Sequence, residues 1–369
     1  MKKMIIGCTK KLQDEIEPIT QKRGIEEKEL FSWSANLIKI KRRKAVIVVN
    51  DKNRFGFVLF GLKSKDFLKI DELILQGIKR SLKQLKIREE IIEQYLSDAG
   101  ETVYTKTNGH KYVARLNKAC ELVGLFEDIL DLDNVYQEEI SIKLNYDLIK
   151  TDKSNYEHPC ELILEDLKEV YGESVIKCEA NSLLVKLDLG GYTAERRIVT
   201  PVDINFKKLH KILQIAFDWK DCHLHDFDII NEKGERELKI ISEYEDEIDL
   251  YNPGCKVVLE SEAYIRDYIK DEKIIKYSYD FGDGWEHEII FEGEIVDYNR
   301  NHPFCVDGFG DGAPEDVGGI PGYEEFLEIM GNASHPEYKS MKIWAASQMY
   351  RKFDIDFVNR RLKYLELEL

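Results

Sequence analysis

Two spacings of apolar residues separate strand-like from helix-like segments in the first half of the chain. Ala35–Ile40 and Ala45–Asn50 are apolar runs joined by four basic residues, a pattern typical of a β-hairpin, and Phe55–Leu62 continues the sheet. From Ser64 onward, apolar residues recur every three or four positions, which predicts a long helix. A domain with both α and β elements is therefore expected here.

The second half begins with strands and ends with helices. Ser182–Leu189 and Arg196–Val202 alternate as strands do, and Phe206–Trp219 has the apolar stripe of a helix. Further strands are predicted at His223–Ile230, Lys256–Leu259, Ile274–Tyr279 and Trp285–Val296. Helices are predicted at Tyr323–Met330, His335–Tyr350 and Ile355–Leu365. Because strands and helices do not alternate regularly, the expected class is α+β, with a mixed or antiparallel sheet, one early helix and a helical C-terminus.

A polar stretch from Asn145 to Pro159 separates the two halves. A chain of 369 residues is long enough for two domains that each bury a core. We therefore predict a small α+β domain at residues 1–145 and a larger one at 146–369. The amphipathic segment Glu161–Tyr171 is assigned to the second domain.

Composition indicates a folded protein without a membrane segment. Hydrophobic residues make up 43% and aromatic residues 11% of the chain. No apolar run approaches the roughly 20 residues that cross a bilayer. Seven cysteines without a C-x-x-C pair are typical of reduced thiols, so a cytoplasmic location is expected.

Charge is distributed unevenly along the sequence. Residues 1–140 hold 26 Lys and Arg against 22 Asp and Glu, whereas residues 141–369 hold 28 against 48. Since non-specific affinity for nucleic acids comes mainly from neutralising phosphates, the second domain should not bind DNA on its own. Any contact with DNA is expected from the first domain.

The densest group of ionisable residues surrounds two glycines between the last two predicted strands. Asp280, Asp283, Glu286 and His287 are presented there from one tight turn beside Trp285. Asp283, Glu286 or His287 could act as a general base, because neighbouring carboxylates raise one another's proton affinity. The alternative is a structural turn in which aspartates accept backbone hydrogen bonds and Trp285 packs inward.

A glycine-rich acidic loop follows, from Cys305 to Gly319. It contains Glu315 and Asp316 and precedes a helix bearing Tyr323. It lacks the ligand spacing of a calcium-binding loop and the Lys-Ser/Thr of a phosphate-binding loop. With the turn, it is expected to form an acidic pocket for a cation, an amine or a basic peptide, or only to cover the sheet.

His223 and His225 form a pair with metal-ligand spacing. Residues i and i+2 of a strand face the same side, so both imidazoles could converge on one ion. With Cys305 or the carboxylates of the turn, they would suit zinc or another divalent metal. The alternative is two histidines that simply flank a strand.

The second half of the chain resembles the Ri-plasmid ORF-3-like family. The resemblance rests on ordered signatures: Arg196–Pro201, Leu209-His210, His223–Phe227, Tyr279–His287, Pro314–Gly319, His335–Glu337 and Val358–Leu362. Many members carry cysteines where this chain has Gly312 and Val317, so only Cys305 remains. The first half resembles an uncharacterised bacterial domain family through Cys8-Thr-Lys-Lys11, Trp33–Leu37 and Arg42–Lys44.

Members of the ORF-3-like family often carry a transposon resolvase (TnpR) label, which implies a link to mobile elements. Serine-recombinase chemistry requires a nucleophilic serine among arginines and a basic DNA-reading module. This sequence shows neither, so resolvase catalysis is not expected.

Two functional hypotheses remain. The first is an accessory protein whose acidic pocket recognises a partner protein or a small cationic or metal-bridged ligand. The alternative is a metal-dependent hydrolase that uses the same residues.

Overall fold

The chain splits into two compact units, Met1–Lys177 and Cys178–Leu369. The computed structural model describes residues 3–16, 29–107, 109–151, 155–242, 255–269 and 274–365. Residues 152–154 of the predicted polar linker lie outside this description. Within the described ranges, no helix combines the length and the apolar character needed to cross a membrane.

The first unit is built on a mixed sheet. Its strands are β1 (Lys3–Cys8), β2 (Ser32–Ile40), β3 (Arg43–Asn50), β4 (Gly56–Leu62) and β5 (Glu101–Lys106). The described strands lie in the order β4-β3-β2-β1-β5, with β1 parallel to both neighbours and the β2–β3–β4 meander antiparallel. The predicted hairpin at residues 35–50 is present as β2 and β3.

Helices complete the first unit. They are α1 (Lys10–Gln13), α2 (Ile70–Gln84), α3 (Glu89–Ala99), α4 (Gly109–Leu125), α5 (Glu138–Tyr146) and α6 (Pro159–Tyr171), with the short strands β6 (Ile149–Lys150) and β7 (Tyr156–Glu157) before α6. The long helix expected after Ser64 starts with a 3-10 segment, Ser64–Lys69, and continues as α2.

The boundary between the units falls at 177/178 rather than at the predicted 145/146. Helix α6 belongs to the first unit because its polar side chains bond there. Asp166 accepts a hydrogen bond from Asn53 at 2.8 Å and pairs with Lys52 at 2.7 Å. Tyr171 donates to Asp98 at 3.3 Å. The described residues of the predicted linker therefore belong to the first unit, where Asn145 is buried and bonds the backbone of Gly56.

The second unit contains a larger mixed sheet. Its strands are β8 (Cys178–Leu189), β9 (Tyr192–Pro201), β10 (His225–Ile230), β11 (Arg236–Ile241), β12 (Lys256–Leu259), β13 (Ile274–Tyr279), β14 (Trp285–Tyr298) and β15 (Phe304–Phe309). In the described residues their order is β12-β11-β10-β13-β14-β8-β9-β15, and only the β11–β12 pair is parallel. Burial alternates along β8 and β13, so each strand turns one face to the core.

Four helices of the described second unit pack with this sheet. They are α7 (Phe206–Phe217), α8 (Gly319–Gly331), α9 (Tyr338–Ser347) and α10 (Ile355–Lys363). Asn205 caps α7 by accepting from the backbone N–H of Lys208. One hydrophobic cluster joins α7, the sheet and the C-terminal helices, with Phe206 edge-on to Phe227. The predicted α+β class and the helical C-terminus are confirmed.

Candidate functional site

A short loop carries His223 from the end of α7 to the start of β10. Asp218 and Asp221 adopt left-handed backbone angles, with φ of 61° and 55°. The backbone N–H of Asp221 donates to Gln214 Oε1 at 2.8 Å. The side-chain Oδ1 of Asp221 lies 2.6 Å from His210 Nε2. Because Gln214 and His210 belong to α7, this helix fixes the loop and therefore the position of His223.

The turn between β13 and β14 places Asp280 beside that loop. Asp280 has φ of 55°, and its Oδ1 accepts backbone hydrogen bonds from Gly282 at 2.9 Å and Asp283 at 3.2 Å. Its own N–H donates to Leu224 O at 2.9 Å. The Oδ2 atom is left facing His223.

The acidic loop before α8 closes the site from a third side. Glu315 Oε1 accepts from the backbone N–H of Lys220 at 2.8 Å and from the Tyr279 hydroxyl at 3.0 Å. Asp283 Oδ2 accepts from the N–H of Gly318 at 3.1 Å. The turn and the acidic loop are therefore bonded to each other, as well as to the loop after α7.

These three segments converge on the imidazole of His223. Its Nε2 atom lies 3.5 Å from Asp280 Oδ2, 3.6 Å from Glu315 Oε2 and 3.3 Å from Asp316 Oδ1. We refer to His223, Asp280, Glu315 and Asp316 as the His223 centre. Within the part of the chain that the structure describes, His223 Nε2 and Glu315 Oε2 are buried atoms without a hydrogen-bond partner.

The three distances from His223 Nε2 are close to the separation of two ligands on one metal ion. Two ligands of a tetrahedral zinc ion, each bonded at about 2.1 Å, lie about 3.4 Å apart. The three separations from His223 Nε2 fall around this value. The ligand atoms of His223, Asp280 and Asp316 all lie within 4.8 Å of one another.

Cys222 forms a second group with His223 and Glu315, again with ligand atoms within 4.8 Å of one another. Burial, followed by the charge of Glu315, raises the pKa of its thiol. Cys305 was the only sulfur ligand predicted from the sequence, and Cys222 was missed. The adjacent pair Cys222-His223 was the signal that could have identified it.

His225 does not share the site of His223, contrary to the expected convergence. Strand β10 begins at His225, so His223 lies in the preceding loop and the alternation of strand side chains does not apply to it. The ring of His225 stacks on His210 with centroids 3.5 Å apart, and its Nε2 lies 2.8 Å from Glu260.

The His210–His225 stack has hydrogen-bond partners. His210 Nε2 contacts Asp221, and Nδ1 lies 2.8 Å from the Tyr277 hydroxyl, which also accepts from Gln214. Burial lowers the pKa of His210 to about 4. His210, Asp221 and His225 could group around an ion, but their present contacts are those of a satisfied polar core.

Trp285 and His287 lie in the core rather than at the His223 centre. Trp285 is fully buried and stacks with Trp219 at 6.4 Å between ring centroids. His287 is buried against Phe217 and Trp219, and its Nδ1 lies 3.2 Å from Tyr277 O. Burial lowers the pKa of His287 to about 3, so its imidazole is neutral at physiological pH.

Glu286 occupies the opposite face of β14 from His287. Its side chain is exposed and lines a surface groove together with Lys186, Lys276 and Glu288. Among the three residues predicted as a general base, only Asp283 adjoins the centre, through its contact with Gly318.

Cys305 and Tyr323 also lie apart from the His223 centre. Cys305 is buried on the edge strand β15, where the Asn359 side chain bonds both its N–H and its C=O, and four strands lie between β15 and β10. Burial raises the pKa of its thiol to about 11. Tyr323 is buried on α8 and stacks with Phe326. Because Cys305 and Tyr323 lie apart from the His223 centre, their predicted roles at a shared site are not supported.

Fold and site together define a class: an α+β protein of two compact units, the second carrying a histidine–carboxylate centre. Comparison with known proteins identifies the family. Residues 179–362 match the plasmid pRiA4b ORF-3-like protein family, and residues 5–162 match a domain of unknown function, DUF6933. The chain belongs to the plasmid pRiA4b ORF-3-like family, and both sequence resemblances are confirmed.

Two similar proteins are described as uncharacterised or of unknown function. The uncharacterized protein y4hQ of Sinorhizobium fredii (strain NBRC 101917 / NGR234) is 33% identical over 168 residues, which are 46% of this chain and 81% of the relative. The crystal structure of a protein of unknown function, MM3350 from Methanosarcina mazei Go1, is 31% identical. The match covers 49% of this chain and 97% of that one, with a TM-score of 0.40.

Proposed function

We propose that the second unit is a binding module that holds a divalent metal ion at the His223 centre. Through this ion or through the surrounding carboxylates, it would recognise a cationic or metal-bridged ligand on a partner molecule. The observation that supports this proposal most is the pair of buried atoms without hydrogen bonds, His223 Nε2 and Glu315 Oε2, which face each other at 3.6 Å.

The side chain of Glu315 is 2% exposed. A buried carboxylate oxygen without a hydrogen bond costs free energy on the order of 1–3 kcal/mol. The like charges of Asp280 and Asp316 nearby add to this cost. A divalent cation would reverse both effects, because it satisfies the free lone pair and neutralises the carboxylates.

An ion could reach the centre from solvent. The side chain of Asp316 is 59% exposed and that of His223 is 27% exposed, while Glu315 forms the buried wall. The second unit supplies 23 Lys and Arg against 40 Asp and Glu. Its charge therefore favours the approach of cations over that of phosphates.

The test is calorimetric titration of the metal-free protein with Zn²⁺, Mn²⁺ and Mg²⁺. We expect one tightly bound ion per chain, and His223→Ala should weaken that binding on the order of 100-fold, because a direct ligand is lost. His110→Ala, an exposed histidine on α4, is the matched control and should bind like the parent protein. Equal affinity in the parent and His223→Ala proteins would refute the proposal.

A metal-dependent hydrolase is the second candidate, favoured by the exposure of Asp316. An ion held beside this open carboxylate would have room for a water molecule, which a metal can activate as a nucleophile. Asp283 would be the base candidate. Zinc-loaded protein should then hydrolyse phosphate, carboxylate or peptide esters in a panel assay, with activity lost in His223→Ala. If the zinc-loaded protein hydrolyses none of these substrates, the hydrolase candidate is refuted and only the binding module remains.

A further inference from the structure

We propose that Cys222 supplies a thiolate to the His223 centre and makes it selective for zinc over magnesium and manganese. This inference rests on the metal-binding function proposed above. It adds Cys222, which the sequence motifs did not identify as a ligand, and it specifies zinc as the ion.

The geometry places the sulfur in one group with His223 and Glu315, the residues that carry the two atoms without hydrogen bonds. Cys222 Sγ, a ring nitrogen of His223 and a carboxylate oxygen of Glu315 lie within 4.8 Å of one another. Zinc–sulfur bonds are about 2.3 Å long and zinc–nitrogen bonds about 2.0–2.1 Å, so these donors need to move by only about an ångström to share one ion. The thiol is on an exposed residue and can rotate about a single side-chain bond.

Tyr279 holds Cys222 and Glu315 in a fixed relation. Its hydroxyl accepts from the backbone N–H of Cys222 at 3.2 Å and donates to Glu315 Oε1 at 3.0 Å. The phenol of Tyr279 is therefore shared by two candidate ligands, while Glu315 Oε2 makes no hydrogen bond and lies 3.6 Å from His223 Nε2. Tyr279 thus positions both the buried carboxylate of Glu315 and the backbone of Cys222.

Binding of zinc by Cys222 would require loss of the thiol proton. The zinc–sulfur bond forms, the sulfur–hydrogen bond breaks, and one proton passes to solvent.

Selectivity follows from the donor set. Magnesium and manganese prefer oxygen donors, whereas zinc readily takes thiolate sulfur with imidazole nitrogen. Without the sulfur, His223, Asp280 and Asp316 would remain as a nitrogen-and-oxygen set. Cys222→Ser should therefore change which ion is preferred rather than abolish binding.

The experiment replaces zinc with cobalt in the full-length protein. We expect the parent protein with Co²⁺ to show thiolate-to-cobalt charge-transfer absorption in the near ultraviolet, and Cys222→Ser to lack it. Zinc affinity should fall on the order of 100-fold in Cys222→Ser, while manganese affinity stays within about twofold. Cys255→Ser, another cysteine of the same unit, should behave like the parent protein in every measurement.

The outcomes separate this inference from the function on which it rests. A charge-transfer band and zinc affinity that persist in Cys222→Ser, together with loss of zinc in His223→Ala, would overturn the role of Cys222 and leave metal binding intact. A parent protein that binds no divalent ion would overturn both proposals. Circular dichroism of each variant confirms that folding is unchanged.

Discussion

The two carboxylate oxygens of Glu315 have different surroundings. Oε1 accepts two hydrogen bonds, from the backbone of Lys220 and from Tyr279, and so ties the acidic loop to the sheet. Oε2 is buried without a hydrogen bond, 3.6 Å from His223. One oxygen stabilises the fold, whereas the other would gain a partner from the proposed metal ion.

Glu315→Gln separates these two roles. The amide oxygen can keep the contacts of Oε1, while the new amide group removes a buried charge and can donate to nearby carboxylates. We expect the metal-free protein to gain about 1 kcal/mol of unfolding free energy and to lose zinc affinity by at least about tenfold. Urea denaturation and calorimetric titration measure the two effects. Glu286→Gln on the outer face is the control, and matching behaviour of the two variants would contradict this assignment.

At the scale of elements, the site depends on close contact between the β13–β14 turn and the start of α8. Gly319 has φ of 68°, and a Cβ atom there would lie 2.7 Å from Asp283 O. Adjacent to it, Gly318 donates to Asp283 Oδ2. A side chain at Gly319 would therefore push the turn and the acidic loop apart.

Gly319→Ala should destabilise the second unit by about 2 kcal/mol, because alanine is strained at this backbone angle and collides with the turn. Zinc affinity should fall as Asp280 and Asp316 separate. Gly331→Ala, at the other end of α8, meets open space and serves as the control. Thermal unfolding and titration test both variants, and an unchanged Gly319→Ala protein would show that this contact does not position the site.

Sequence alone predicted most elements but not all of them. Apolar alternation identified the long strands β8 and β14, whereas β5, β6, β7, β11 and β15 were not predicted. The β15 segment Phe304–Phe309 contains Asp307 and Gly308, so its composition indicated a loop. It forms a strand because it pairs with the edge of β9, a long-range contact that local pattern does not encode.

The site, like the fold, was predicted only in part from the sequence. The acidic loop and the turn were expected to meet, and the structure brings His223, Asp280, Glu315 and Asp316 together. His223 and His225 do not converge as predicted, because the start of β10 determines which side chains alternate. Element boundaries are the weakest part of a pattern-based prediction. Cys305 is remote because the strand order, which the sequence does not reveal, places β15 at the far edge.

At the scale of the whole molecule, charge determines which partners are compatible. The chain carries a net charge of −16, and the excess of acid lies in the second half. The His223 centre adds three carboxylates at one point of that half. These features favour cationic ligands and oppose a phosphate backbone.

We therefore expect the intact protein to bind duplex DNA more weakly than about 0.1 mM at physiological salt. Fluorescence anisotropy with a labelled duplex of mixed sequence measures this, with a basic DNA-binding protein as the positive control. Micromolar affinity that falls steeply with salt would contradict the expectation and would direct attention to the first unit, which holds the basic hairpin Lys41–Lys44.

The most direct measurement is anomalous diffraction at the zinc absorption edge, from crystals of the full-length protein grown with zinc. We expect one strong peak within about 2.0–2.3 Å of His223 Nε2, with Cys222 Sγ and a Glu315 oxygen at bonding distance. A zinc-loaded crystal in which His223 and Glu315 bind no metal, with peaks only at other surface histidines or carboxylates, would contradict it.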